Sequence, residues 1–307
     1  MSHGSEALGR KIKGAKDLSA VVRSMKALAA SSIAQYEQSV ESLQDYARTA
    51  ELALSVCLRE MGSTAHAPGQ SGALTRGAIL FGSDQGLVGR FNEVLMEFAA
   101  RTLRALPGDT HCVWVAGDRM RELVTEAGLP SPTYLPVPHS IDGILPLVDQ
   151  ILIGIETARA ESHVNEIYVY HNQPLASAGY RPVSKRLLPL DAIWQRELTA
   201  LRWVTPAVPE VIGGTGTALQ AIVREYLFVL LFQACAQSLA SENASRLAAM
   251  QRAEENIADV LRGLTRKFHR IRQESIDEEL FEVVSGYEAL SKVVAIRSSP
   301  RPSRLAI

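Results

Sequence analysis

LGRKIKGAKDLSAVVRSMKALAASSIAQYEQSVESLQDYARTAELALSVCLREM, residues 8–61, contains no proline and, after Gly14, no glycine. Read in sevens, one seam runs Leu8, Ala15, Val22, Ala29, Tyr36, Leu43, Ala50, Cys57. Its companion runs Ile12, Ser19, Lys26, Ile33, Val40, Ala47, Leu54, Met61, interrupted only by Ser19 and Lys26. A seven-residue apolar repeat of this length predicts a coiled-coil strand rather than an ordinary globular helix. At about 1.5 Å per residue such a helix is a rod of roughly 80 Å. One helix alone has nowhere to bury its seam, so a second must lie against it.

The last third of the chain supplies that second helix. From Thr217 to Ser299 there is no proline, and the glycines are Gly263 and Gly286. Leu247, Met250, Ala253, Ile257, Val260, Leu264, Phe268, Ile271, Leu280, Val283, Tyr287 and Leu290 recur mostly in steps of three and four. The expected arrangement is an antiparallel coiled coil of the two terminal helices.

Between them the pattern changes. Gly77–Gly82 (GAILFG), Cys112–Ala116 and Glu166–Tyr170 (EIYVY) read as short buried strands, with Arg186–Leu190 as a last one. Leu87–Leu106, Asp118–Ala127 and Ile144–Ala160 read as helices. Alternating strands and helices imply a largely parallel sheet covered on both faces. The expected fold is therefore α/β with long helices: a terminal coiled coil plus a central Rossmann-like α/β domain. The expected divisions are an N-terminal helix over 1–62, a junction over 63–76, the α/β domain over 77–204, a junction over 205–216, a C-terminal helix over 217–295 and a flexible tail over 296–307. Both junctions are rich in Gly, Pro, Ser and Thr, and the tail in Arg and Pro.

Composition excludes several function classes. The 307 residues carry a formal net charge of -1, which argues against a basic nucleic-acid surface. Cys57, Cys112 and Cys235 are far apart and odd in number, so neither a disulfide framework nor a metal cluster is expected; they read as reduced, buried thiols. No apolar segment follows Arg10, Lys11, Lys13 and Lys16 as in a secretory signal, and the run Tyr226–Phe232 falls short of the roughly 20 residues a membrane span needs. A soluble chain, or one peripheral on a membrane complex, is expected.

The most enzyme-like string is Gly82-Ser83-Asp84-Gln85-Gly86-Leu87-Val88-Gly89-Arg90, which follows a strand and opens a helix, where phosphate loops sit. Its glycine spacing fits neither the dinucleotide nor the Walker pattern. It reads instead as a polar turn, with Ser83 or Asp84 in local turn or cap hydrogen bonds. The histidines lack helical metal-site spacing, and no nucleophile-elbow string occurs. No catalytic residue, metal or cofactor is therefore assigned. On the C-terminal helix a basic block (Arg262, Arg266, Lys267, Arg270, Arg272) precedes an acidic one (Glu274, Asp277, Glu278, Glu279, Glu282). This is either a solvated face or a set of charges that meets a surrounding partner at defined heights.

Several strings resemble one family in order along about nine-tenths of the chain. Val22–Ser31 (VRSMKALAAS) is similar to the K-A-M-x-M-V-A-A-x-K pattern of F-type ATP synthase gamma subunits. Ser83–Asn92 (SDQGLVGRFN) resembles their S-D-R-G-L-C-G-G-F-N, and Leu239–Met250 (LASENASRLAAM) their L-A-S-E-x-A-A-R-M-x-A-M. Arg272–Ile276 with Glu279-Leu280, and Val283–Gly286, resemble A-R-Q-A-x-I-T-Q-E-L and I-V-S-G. The resemblance implies a non-catalytic shaft inside a ring of alpha and beta subunits. Its foot is expected on epsilon and the membrane c-ring, peripheral to the cytoplasmic face of a bacterial inner membrane. It implies that Met25, Arg23 and Lys26 face the moving part of beta, that Arg246 helps join shaft to ring, that Gln273 and Glu279 lie near the ring's collar, and that Arg272 also belongs to the interface with the ring. Departures are Asp277 for the family's threonine, Arg90 for its second glycine, Ser32 for its lysine, and an extension over Ser291–Ile307. They point to a divergent gamma, as a second rotary ATPase beside a standard one would carry. Two other readings explain fewer of the strings: a coiled-coil adaptor with a non-catalytic α/β domain, and a nucleotide-binding enzyme.

Overall fold

A computed structural model describes residues 3–61, 75–161, 164–175, 179–190, 192–201, 203, 205, 207, 209–212 and 214–297. Two helices open the chain, α1 (His3–Ser42) and α2 (Gln44–Met61). The sequence reads as one helix here, and the interruption is confined to Leu43. Its backbone bonds still run in helical steps, Leu43 N–H to Ser39 C=O at 3.2 Å and Ala47 N–H to Leu43 C=O at 2.9 Å. The heptad reading holds across it. Leu8, Val22, Ala29, Tyr36, Ala50 and Cys57 are buried, with Ala15 and Leu43 half-buried; the companion seam is mostly half-buried.

Then follow β1 (Thr75–Phe81), α3 (Phe91–Ala105), β2 (Asp109–Ala116), α4 (Asp118–Glu126), β3 (Thr133–Leu135), α5 (Ile144–Glu161), β4 (Glu166–Pro174), β5 (Tyr180–Leu188), α6 (Ala192–Ala200) and α7 (Thr215–Arg297). The sheet order is β3-β2-β1-β4-β5. β1 pairs in parallel with β2 and β4, β2 in parallel with β3, and β5 is antiparallel to β4. The side-chain alternation of strands separates two cores. Ile79, Phe81, Trp114, Ala116, Ile167 and Val169 join α5 and α7 on one face. Ala78, Leu80, Val113, Val115 and Tyr170 join α3 and α4 on the other.

Four expectations change. The last strand, β5, is long and antiparallel rather than a short stretch at Arg186–Leu190; its exposed Arg181, Lys185 and Arg186 break the apolar pattern. β3 and α6 were not foreseen, being a three-residue strand in a Pro-rich stretch and a short helix. The helix expected from Leu87 starts at Phe91, because 82–90 form the turn described below. On α7, Val260, Leu280, Val283 and Tyr287 are exposed rather than in a buried seam. The tail beyond 297 and most of the first junction lie outside the described residues.

Two compact units divide the chain: Met1–Ser24 with Gln251–Ile307, and Met25–Met250. In the second unit the helices run antiparallel, as paired contacts record. Tyr46 Oη donates to Glu225, and Thr215 Oγ1 donates to Glu60 Oε2 at 3.0 Å, so partner numbers fall as α2 proceeds. One window of α7 is apolar enough to cross a membrane by composition, but Tyr226, Leu227, Leu230, Leu231 and Phe232 lie in the domain core. In the first unit Leu8 and Val22 are buried, and Ala253, Ile257, Leu264, Phe268 and Ile271 half-buried, before α7 becomes exposed.

Candidate functional site

In an open doubly wound sheet, ligands bind beyond the carboxyl ends of the strands where the strand order reverses. Here that point lies between β1 and β4. It is filled by the chain's own helix. Ser238 Oγ donates to Phe81 C=O at 2.9 Å, at the end of β1, and Ser241 Oγ donates to Asn172 C=O at 2.9 Å, on β4. Ser245 Oγ donates to Val88 C=O in the turn after β1. The three serines are spaced by three and four, one face of a helix. They bolt α7 to the sheet.

The turn itself is held from inside. Asn92 accepts the Ser83 N–H on Oδ1 at 3.0 Å and donates from Nδ2 to Ser83 Oγ at 2.8 Å. Ser83 Oγ donates to Gln85 C=O at 2.9 Å. Asp84 accepts the Asp118 N–H at 3.0 Å, which caps α4, and the Val137 N–H at 3.1 Å. Gly117, at φ +109°, lets the chain pass Ser83, whose backbone atoms would lie 2.7 Å from an added Cβ. The string that looks like a phosphate loop is therefore the polar turn that its spacing suggests. Its amides and carbonyls serve β1, α4 and α7. Asn172 Nδ2 donates to Phe91 C=O at 3.0 Å, tying β4 to the start of α3.

Beside this seam Arg246 Nη2 donates to Glu242 Oε1 at 2.6 Å, with side chains only 15% and 7% exposed. Arg246 Nη1 donates to Asn243 Oδ1 at 3.3 Å. Burial raises the Glu242 carboxyl, and Arg246 opposes that rise. Tyr36 of α1 is held above its ordinary value by burial and by its neighbours Cys235 and Glu242. Earlier on α7, Gln237 Oε1 lies 2.9 Å from Nε2 of His171 on β4. That contact requires Nε2 to carry the proton, and burial holds the ring neutral with a pKa of about 4.

The residues singled out from sequence fall in both units. Arg23 is exposed and directs its guanidinium to Ser19 on its own helix. Arg272, Gln273 and Glu279 are exposed on α7 in the same unit. Met25 and Lys26 are half-buried in the second unit. Arg246 turns inward to Glu242. The sequence reading missed Glu242, Tyr36 and the three serines as a group. The 238-241-245 spacing on an otherwise apolar helix face was the available signal. Among the described residues, no group of three His, Cys, Asp or Glu could hold a metal ion.

An α/β sheet whose ligand crevice is closed by the protein's own long helix defines a scaffold rather than a ligand-binding domain, one in which the sheet anchors a helical pair. A family model described as ATP synthase matches residues 5–290. The ATP synthase gamma chain of Brevibacillus brevis is 26% identical over 297 residues, covering 94% of this chain and 99% of the relative. That of Syntrophus aciditrophicus is 27% identical over 291 residues, covering 92% and 97%. The rotor of the Euglena gracilis mitochondrial ATP synthase has a chain with the same fold, at TM-score 0.60 and 14% identity, covering 89% of this chain and 99% of that one. A chain in the OSCP/F1/c-ring structure of the same synthase gives TM-score 0.61 at 15% identity, covering 99% of both chains. The protein belongs to the gamma-chain family of the ATP synthases.

Proposed function

We propose that this chain is the central-stalk rotor of an F-type ATP synthase, coupling ion translocation through a membrane sector to ATP synthesis or hydrolysis in beta subunits. The observation that carries it is the far part of α7. Ile276, Leu280, Phe281, Val283 and Val284 are 47–73% exposed there. An exposed apolar run on one long helix calls for a surrounding partner. The basic and acidic blocks beside it set a register for that partner. An asymmetric shaft biases the states of its neighbours only through contacts that differ between those states. In this reading Arg23, Met25, Lys26, Arg272, Gln273 and Glu279 meet the alpha and beta ring, with Arg246 helping to join shaft to ring. The foot meets epsilon and the c-ring, at the cytoplasmic face of a bacterial inner membrane. ATP chemistry resides in beta, and this chain is not an enzyme.

Co-expression with the host's alpha and beta subunits, followed by observation of a bead fixed to this chain, tests the reading. ATP-driven turning in three steps is expected. A folded chain that fails to assemble with partners that accept another gamma would return the coiled-coil adaptor to first place.

A further inference from the structure

Between the turn after β1 and the helical pair lies a cavity of about 130 Å³. Its walls include Tyr36, Asp84, Gln85, His139, Glu242 and Arg246. Glu242 is 5% exposed, and only one of its carboxylate oxygens is engaged. Oε2 is buried without a hydrogen-bond partner. None of the described side chains around the cavity donates to Oε2. Arg246 grips the carboxylate end-on through Oε1 and gives its other guanidinium bond to Asn243. Asp84 is an acceptor whose two oxygens already take N–H groups from Asp118 and Val137. A buried carboxylate oxygen left bare bears the desolvation cost of a charged acceptor.

We propose that this cavity receives one cationic side chain, a lysine or arginine, from an adjacent protein chain of the complex. The proposal rests on the rotor reading above. The cavity sets two carboxylates, Asp84 and Glu242, against the Arg246 guanidinium, with the His139 imidazole at its exposed rim, so its buried part is short of positive charge. The bare oxygen needs an N–H donor, and Tyr36 adds an aromatic wall of the kind cations favour. The volume admits an ammonium or guanidinium head with the end of its stem. At about 30 Å³ per water it is larger than a single water requires. A divalent metal is disfavoured by the ligand count, since no group of three metal-binding side chains occurs among the described residues. The rim residues Gln85 and His139 are exposed, so a side chain can enter from outside.

The test uses the assembled complex with a photoreactive benzoylphenylalanine in place of Gln85. Irradiation is expected to join this chain to one neighbouring subunit, at a peptide containing lysine or arginine. Glu242→Gln keeps the shape and the Oε1 contact but removes the charge, and should lower the yield at least about tenfold. Alanine at the mapped partner residue should do the same, and it leaves this chain untouched should Glu242→Gln fail to fold. An assembled, turning complex with no cross-link, or with a yield indifferent to both substitutions, overturns the cation site and spares the rotor reading. Failure to assemble at all sinks the rotor reading and this site with it.

Discussion

Two stretches of the same helix behave oppositely. Between Ser238 and Arg246, α7 is buried or half-buried and most of its polar groups are paired: three hydroxyls with carbonyls of the α/β domain and one guanidinium with a buried carboxylate. Between Ile276 and Tyr287 its large apolar side chains are exposed. Where α7 packs on the sheet the chain completes its own structure; toward its C-terminal end the helix carries a surface that something else must complete. Helical periodicity alone is similar in both.

The largest expected effect tests the buried stretch. Arg246→Ala strands the Glu242 carboxylate and should lower stability by about 3 kcal/mol at neutral pH, measured by urea unfolding. The loss should shrink on acidification, because protonation relieves a carboxyl already raised by burial. Next comes His171, whose pKa of about 4 lies below the unfolded value of 6.5. The unfolded chain then binds more protons between these values, so stability is full above pH 6.5 and falls as the pH drops toward 4. The loss should approach about 3 kcal/mol. Unfolding at stepped pH measures it, and His171→Gln should flatten that slope. A third effect is smaller: Ser238→Ala and Ser241→Ala each leave a strand carbonyl short of its donor and should cost about 1 kcal/mol. Leu280→Ser should move stability by no more than about 0.5 kcal/mol. Under the proposed rotor role it should still weaken coupling of hydrolysis to ion movement in the assembled complex, read as ion pumping per ATP. If it unfolds the chain instead, the contrast between the two stretches collapses. Smallest of all, Asp259→Asn removes an exposed pair with Arg262 and should change stability by at most about 0.5 kcal/mol.

The heptad in residues 8–61 was legible because burying one face is a requirement that sequence spacing records directly. The parallel strands were legible for the same reason, as short runs buried on both faces. β5 was cut short by its exposed Arg181, Lys185 and Arg186, and α6 is too brief for its period to register. The sites fared differently. Spacing marks Leu280 and Val283 as a face, yet cannot say whether the cover comes from the same chain. Arg246 reads as an outward charge until the fold brings Glu242 one helical turn away from it into a buried pair. The turn at Ser83 is an intermediate case. Its glycine spacing already excluded a phosphate loop, but only the fold reveals that Asn92, Asp118, Val137 and Ser245 are what it binds.

Leu43 has a mechanical consequence. The helix is interrupted there, yet the bonds from Leu43 N–H to Ser39 and from Ala47 N–H to Leu43 keep their helical step. Two helical bonds thus bridge the interruption, so α1 and α2 are joined across Leu43 rather than merely linked by it.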